Sequence, residues 1–465
     1  MHLTKRAWRK AVSRMAVAIV VVLLLIVVGA GYYFVTMPPS TPASSTKTIT
    51  VMAITGFSDS YYKAVATDFM AQNSGVNVTI LSQPFSGILQ QEQTLLQAQS
   101  TSIDIVTGTP SMIGTLATYT LDLTSYIKQN NLNMSDILSS MQSSNGNIAV
   151  TVNGTVTTKV SALAMMSDAM IIYYRTSVWN QNSANLKPLT SWDNFIYDEQ
   201  YFDTNTNYYG ALIEATTAHE LWNTYLDVYA YYYHQQPSLG PAQPGYGILF
   251  TNSLKPSFNS TAGVQATQEL ARMMNAQPSL VSSYGGFNYN NFVQYYTSGF
   301  QGKNFAMAIA WLAQFSAINK TGTSTSGDVS FTALPGGYSQ EGGSGAGISK
   351  YSKNPDLAFK FLQFALQPAE QAKMWDVQGA LPSTLSGYQY LISEHPGLAS
   401  FFTNSLAVVQ AGGAEPHIIS STWALIPIID NALAGVLPPN TATSDQILAA
   451  LQTAANEWIP IVSHG

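Results

Sequence analysis

The stretch from Gly302 to Pro382 constrains the fold of this chain more than any other. It opens with GKNFAMAIAWLAQF, an apolar run that reads as a buried strand leading into Trp311. FTALPGG follows. Then comes GGSGAGISKYSKNPDLAFKFLQFALQPAEQAKMW, a glycine-rich crossing, a turn, and a helix that ends near Pro368, and the stretch closes on GALP. A buried strand needs a layer packed on each face, so the order strand, crossing, helix points to a layered α/β architecture.

The preceding half repeats the same alternation. Thr48 to Thr55 (TITVMAIT) reads as a strand and Ser58 to Gln72 as a helix with Phe69 and Met70 on its apolar face. Val76 to Ser82 is a second strand, Ile88 to Ala98 a helix, and Ile103 to Val106 a third strand. Short apolar strands alternating with helices predict a parallel sheet. Ligands of such sheets sit beyond the carboxyl ends of the strands. Those ends hold Thr55-Gly56-Phe57-Ser58-Asp59, Gln83-Pro84-Phe85-Ser86 and Thr107-Gly108-Thr109-Pro110-Ser111. Ser58, Asp59, Thr109 and Ser111 are therefore candidate ligand contacts. Thr109 and Ser111 serve equally well as caps of the following helix.

The N-terminus carries a topology signal. Lys5, Arg6, Arg9, Lys10 and Arg14 precede an uncharged run of 21 residues from Met15 to Val35. A helix needs about 20 apolar residues to span a bilayer, and the basic cluster holds its own side in the cytoplasm. Residues 1–14 are expected to be a basic cytoplasmic region, 15–35 a single-pass transmembrane anchor, and 36–48 a Pro/Ser/Thr-rich spacer that presents an extracellular domain. A pilin-like signal cut after Ala11 is an alternative that also leaves the apolar segment attached. With no cysteine, neither disulfides nor a lipid-modified Cys is available.

Charged residues make up 9% of the chain, against roughly 25% in ordinary soluble proteins. Without residues 1–14 the formal charge moves from −6 to −11. Few surface carboxylates suit an acidic exterior; the sequons at Asn77, Asn133, Asn153, Asn259 and Asn319 suit a glycosylated cell-surface protein of ordinary pH. No basic patch follows residue 35, so nucleic acid is not an expected partner.

Enzyme motifs fail at defined positions. His219-Glu220 has Asn223 where a zinc protease needs its second histidine. Gly342-Gly343-Ser344-Gly345-Ala346 misses the last glycine of a nucleophile elbow. There is no P-loop or dinucleotide fingerprint, and six His without Cys give no metal-ligand spacing. What remains is a binding chemistry of aromatic faces, amides and hydroxyls. Sugars need this combination, and 26 Tyr and 8 Trp supply the rings.

GKNFAMAIAW, LPGG, GAGIS and KNPDLAFKFLQF, in that order, resemble the signature of the family 1 extracellular solute-binding proteins of ABC transporters, the maltose-binding-protein-like group. With the N-terminal run, the chain is most similar to the archaeal membrane-anchored sugar-binding type. The resemblance covers about 45–465 and is strongest over 160–215 and 302–385. It implies a periplasmic-binding-protein-like α/β fold of type II, with lobe 1 at 49–165 and 344–391 and lobe 2 at 166–343 and 392–465. Ala162 to Arg175, interrupted at Ser167-Asp168, would be the first crossing, Gly342 to Gly347 the second and Leu391 to Pro396 the third. Ser191 would cap the helix opening at Trp192-Asp193, and Leu212 to Tyr233 would be one long helical stretch.

The resemblance further implies a non-enzymatic monomer that captures a small sugar without metal or cofactor. It would hand that sugar to ABC permease subunits driven by a separate ATPase. Trp311 falls where a ring packs on ligand, with a core role as the alternative. Trp222 and Tyr225 lie on a helix that often supplies contacts. Asp168, in the crossing strand, either accepts sugar hydroxyls or is a hinge residue paired to backbone. Gln410 sits before a late loop, and Trp423 is a pocket ring or core. Ser344 stands where the family often has Trp, which favours a mono- or short oligosaccharide. A membrane-anchored glycan-active hydrolase and a structural surface protein are the alternatives.

Overall fold

The computed structural model describes residues 46–152, 155–217, 220–240, 247–251, 255–412 and 422–463. The expected anchor at 15–35, the spacer up to residue 45 and the sequon at Asn153 lie outside them. Among the described residues no helix is long and apolar enough to cross a membrane. Contacts divide the chain into Met1–Lys47 and Thr48–Gly465, and the architecture below belongs to the second unit, with its first strand beginning at the boundary.

The described residues form twelve strands: β1 (Lys47–Ile54), β2 (Val76–Gln83), β3 (Ile105–Gly108), β4 (Asn147–Val152), β5 (Thr155–Val160), β6 (Leu163–Ser167), β7 (Met170–Arg175), β8 (Tyr208–Ile213), β9 (Asn304–Trp311), β10 (Val329–Thr332), β11 (Ser344–Ile348) and β12 (Leu381–Pro382). Six form one sheet in the order β12-β6-β11-β3-β1-β2, and four form a second in the order β10-β7-β9-β8. Each sheet is the centre of one lobe; β4 and β5 make a separate hairpin. The expectation of a parallel sheet holds only in part. β1 pairs with β3 and β8 with β9 in parallel, but β11 runs antiparallel to both β3 and β6. β11 enters its sheet from the other lobe, so it arrives against the direction of its neighbours.

Apolar runs become the buried strands. All of β9 except Asn304 is buried, as its place in the interior of its sheet requires. β7 ends on Arg175, 3% exposed, whose guanidinium donates to the carbonyls of Phe305, Ser324 and Tyr296 at 3.0 Å and to Ser324 Oγ at 3.1 Å. Ser191 caps the helix Trp192–Asn205 by accepting from the Asn194 amide at 3.2 Å.

The lobes are joined by two adjacent crossings. Ser167-Asp168-Ala169 carries β6 into β7, and Gln340 to Gly343 returns into β11. The two are stitched by Met170 N donating to Gln340 O at 3.1 Å and Gly342 N donating to Asp168 O at 2.9 Å. Gly343 has φ of 84°, and a Cβ there would lie 2.1 Å from the Met166 carbonyl oxygen, so the return tolerates only glycine. Within the expected third crossing at 391–396, residues 391–394 close the helix Leu385–Glu394. The next long helix, Ala399–Ala411, touches both lobes: its Phe401 stacks on Phe315 of one at 3.9 Å and meets Trp375 of the other at 5.4 Å. The expected helix over 212–233 is also corrected. Leu212 and Ile213 finish β8, and the helix spans Glu220–His234.

Candidate ligand cleft

A cavity of about 370 Å³ opens between the two sheets. Lobe 1 supplies the ends of its strands, Thr55 to Phe57 and Thr109 to Ser111, together with Phe85 and Ser144. Lobe 2 supplies Glu220, Trp222 and Asn223 from the first turn of Glu220–His234, Tyr289 and Asn290 from the start of Tyr289–Ser298, and Trp311 from the end of β9. Asp168 and Gln340 to Gly343 line it from the crossings, and Thr422 and Ile426 from the helix Thr422–Ala434. Its lining is mainly apolar, with a few convergent polar groups, which is the make-up of a small-molecule site.

Trp311 is 8% exposed, and the six-membered half of its indole packs on Gly342, where a Cβ would meet Cζ3 at 2.4 Å. Asp168 joins cleft and crossing. Its Oδ1 accepts from the amides of Ala169 at 2.9 Å and Ala313 at 3.1 Å, and burial pushes its carboxyl up to about 7 against the pull of those bonds. Thr109 lines the cleft with its Oγ1 buried and unpartnered, and it makes no capping bond to the following helix. Ser111 lines it too, at 8% exposed. Trp222 reaches the cleft with its ring 6.1 Å from that of Trp458.

Other expected contacts lie away from the cavity. Ser58 Oγ accepts from Ile54 N at 3.1 Å at the start of the first helix. Asp59 accepts from Gly56 N and Ser82 Oγ, both at 2.9 Å, and from Lys63 Nζ at 2.6 Å. Burial raises the Asp59 carboxyl, but these bonds outweigh it and leave it below the usual range. Tyr225 is fully buried and stacked on Tyr229 at 5.8 Å. It lies one turn deeper along the helix than Trp222, about 4.5 Å farther from the end that meets the cleft. Ser344 is 1% exposed inside β11. Gln410 is corrected from a loop approach to an exposed position on the helix Ala399–Ala411. Trp423 is half-buried, its ring 6.2 Å from Phe85 at the cleft.

Sequence reasoning missed Glu220, Asn223, Tyr289, Asn290, Gln340 and Glu341 as lining residues. Only Gln340 and Glu341 had a local signal, adjacency to the glycine-rich crossing. Asp227 behind them accepts from Gln340 N at 2.8 Å, and Gln340 Nε2 donates to Asn223 Oδ1 at 3.0 Å, which ties the helix to the crossing. Glu214, fully buried beyond the end of β8, is raised well above the carboxylate range by burial and then by Glu220. Among the described residues no group of His, Asp or Glu is arranged to hold a metal ion. Asn77 and Asn133 are exposed; Asn259 and Asn319 are half-buried and bonded to Gln452 and Gly327.

Several solved structures share this architecture. A maltose-bound MalE3 of T. maritima is 19% identical with a TM-score of 0.66, over 88% of this chain and 98% of that one. The GacH receptor of Streptomyces glaucescens, solved unliganded and with acarbose, is 18% identical with a TM-score of 0.68, over 90% and 99%. The sugar-binding protein MalE of Xanthomonas citri is 15% identical with a TM-score of 0.69, over 90% and 98%. A probable ABC transporter-binding protein of Deinococcus radiodurans is 25% identical over 249 residues, 51% of this chain and 54% of that protein, so the match spans about half of the relative's length. The family model of the bacterial extracellular solute-binding proteins matches residues 64–396. The chain belongs to the bacterial extracellular solute-binding protein family.

Proposed function

We propose that this protein captures a small sugar, mono- or short oligosaccharide, between its two lobes and delivers it to an ABC permease. The observation that carries the reading is a single cavity lined from both lobes, with Trp311 beside hydroxyl, amide and carboxylate groups. A ligand touching both lobes stabilises their closed arrangement, so binding shifts an open–closed population about the paired crossings. Trp311 and Trp222 give the ring faces; Thr109, Ser111 and Asp168 bond hydroxyls. The sugar-bound MalE3 and the acarbose-bound GacH receptor share the fold and favour a carbohydrate. In this reading lobe 1 comprises 49–165 with 344–391 and lobe 2 comprises 166–343 with 392–465. The basic cluster and apolar run before residue 36 tether the domain outside the cell.

A thermal-shift screen of the full-length protein against mono- and oligosaccharides, polyols and peptides tests this. A ligand at 100 times its Kd stabilises the fold by about 2.7 kcal/mol. A sugar hit lost in Trp311→Ala, with the sugar recovered chemically unchanged, is the expected result. A hit only among peptides, or release of new reducing ends, overturns the sugar-capture reading.

A further inference from the structure

The chain is poor in acids, yet three of them, Asp168, Glu220 and Glu341, line one cavity of about 370 Å³. No Lys, Arg or His is among the described residues that line it. The undescribed residues after 46 include no Lys or Arg; their basic residues are His219, His417 and His464. Beside the acids stands Gln340, 7% exposed, whose Oε1 lines up with no donor although its Nε2 is bonded to Asn223. The three acids and Gln340 Oε1 thus put acceptors into a lining whose hydroxyls and amides both donate and accept, and an unpartnered buried acceptor costs about 1–3 kcal/mol until a donor arrives. An ammonium offers three donors and no acceptor; a carboxylate or phosphate offers acceptors only. Phe57, Phe85 and Pro110 of lobe 1 also line the cavity and give apolar surface for a ring to pack on.

We propose that the cleft selects its ligand by charge, taking a sugar-sized polyol that bears a protonated amino group in preference to the neutral counterpart and rejecting the carboxylate-bearing one. The sugar part of this statement rests on the function proposed above; the charge preference does not. Glu220 is the acid best placed to meet the ammonium. It is only half-buried, and its Oε2 already accepts from Thr216 Oγ1 at 2.8 Å, which fixes the carboxylate. An anionic ligand would bring like charge into a partly desolvated cavity, which disfavours the wrong partner.

Titration calorimetry on the full-length protein at neutral pH tests this with D-glucose, D-glucosamine and D-glucuronate, the matching disaccharides, and spermidine as a cation without a sugar ring. The amino sugar is expected to bind at least tenfold tighter than the neutral one, about 1.4 kcal/mol, with the uronate weakest. Glu220→Gln should lower the amine-to-neutral ratio at least threefold, with a smaller change in the neutral sugar's Kd; Glu341→Gln provides a second variant, and melting curves verify that each folds. Equal affinity for all three sugars, or tightest binding of the uronate, overturns the charge preference and leaves the sugar reading intact. Binding of spermidine alone removes the sugar reading and keeps the charge preference. Binding of none overturns both.

Discussion

The unliganded protein is expected to be more stable in mildly acidic solution than at neutral pH, and Asp168 shows why. Its carboxyl is 3% exposed, and burial pushes its pKa from an ordinary 3.8 up to about 7. In the unfolded chain the same group releases its proton near 3.9. Between about pH 4 and about pH 7 the folded state therefore holds a proton that the unfolded state has lost, so stability falls as pH rises through that window. From about pH 5 to about pH 7.5 this one group removes about 2 to 3 kcal/mol. Unfolding entropy of about 2.1 cal/mol/K per residue, over roughly 420 residues, converts that to a Tm change of roughly 3 °C.

Other groups reinforce the sign. Asp198 is pushed up to about 7, and Glu92, Glu199, Glu214 and Asp227 are raised well above the carboxylate range, each first by burial. Asp59, held low, loses its contribution only as pH falls below the ordinary carboxylate range. Lys159, lowered by burial to about 8, acts only above that pH. Neither opposes the trend within the window. Far-UV circular dichroism melts at the two pH values and matched ionic strength measure it. Asp168→Asn keeps an oxygen for the Ala169 and Ala313 amides but cannot ionise, so it should remove roughly 3 °C of the pH dependence. A higher Tm at the more alkaline pH, or an Asp168→Asn variant with the full pH dependence, would refute the reasoning.

Two further predictions concern the frame of the cleft. Gly343→Ala puts a Cβ 2.1 Å from the Met166 carbonyl oxygen at a φ of 84°, and should cost roughly 2–4 kcal/mol in urea unfolding; a loss under about 1 kcal/mol would mean that the crossing backbone can relax. Arg175→Lys exchanges a guanidinium held by three carbonyls and a hydroxyl for a single ammonium, and should lower stability by about 3 kcal/mol with an unchanged urea m-value.

Sequence reading was strongest where a local rule leaves one answer. The apolar run up to Trp311, the Ser191 cap and the glycine-rich return each sit where their residues require. It was weakest where only tertiary packing decides. The segment YYGALI ending at Ile213 suits a buried helix as well as a strand, and pairing with β9 settles it as β8. Tyr225 and Trp222 share a helix, but only its first turn faces the cavity. Tyr289, Asn290 and Glu220 carry no local mark of a site, because they are brought together from segments far apart in the chain.

The placement of the acids ties stability to binding. A chain with 9% charged residues has kept Glu92, Asp198, Glu199, Glu214 and Asp227 buried and Asp168 in the wall of the cleft. A buried carboxyl costs least when neutral, so protons stabilise this interior. At the cleft the same carboxyl chemistry serves a ligand, and there a proton and a cationic ligand compete for the same oxygens. Asp168 belongs to both settings, since its backbone oxygen stitches the crossings and its side chain lines the cavity. If the acid stabilisation is found without charge selectivity, the acids serve the frame alone. If the amine preference is found and weakens as pH falls through the range in which Asp168 takes up its proton, one set of carboxyls governs both how tightly the lobes hold together and what they close upon.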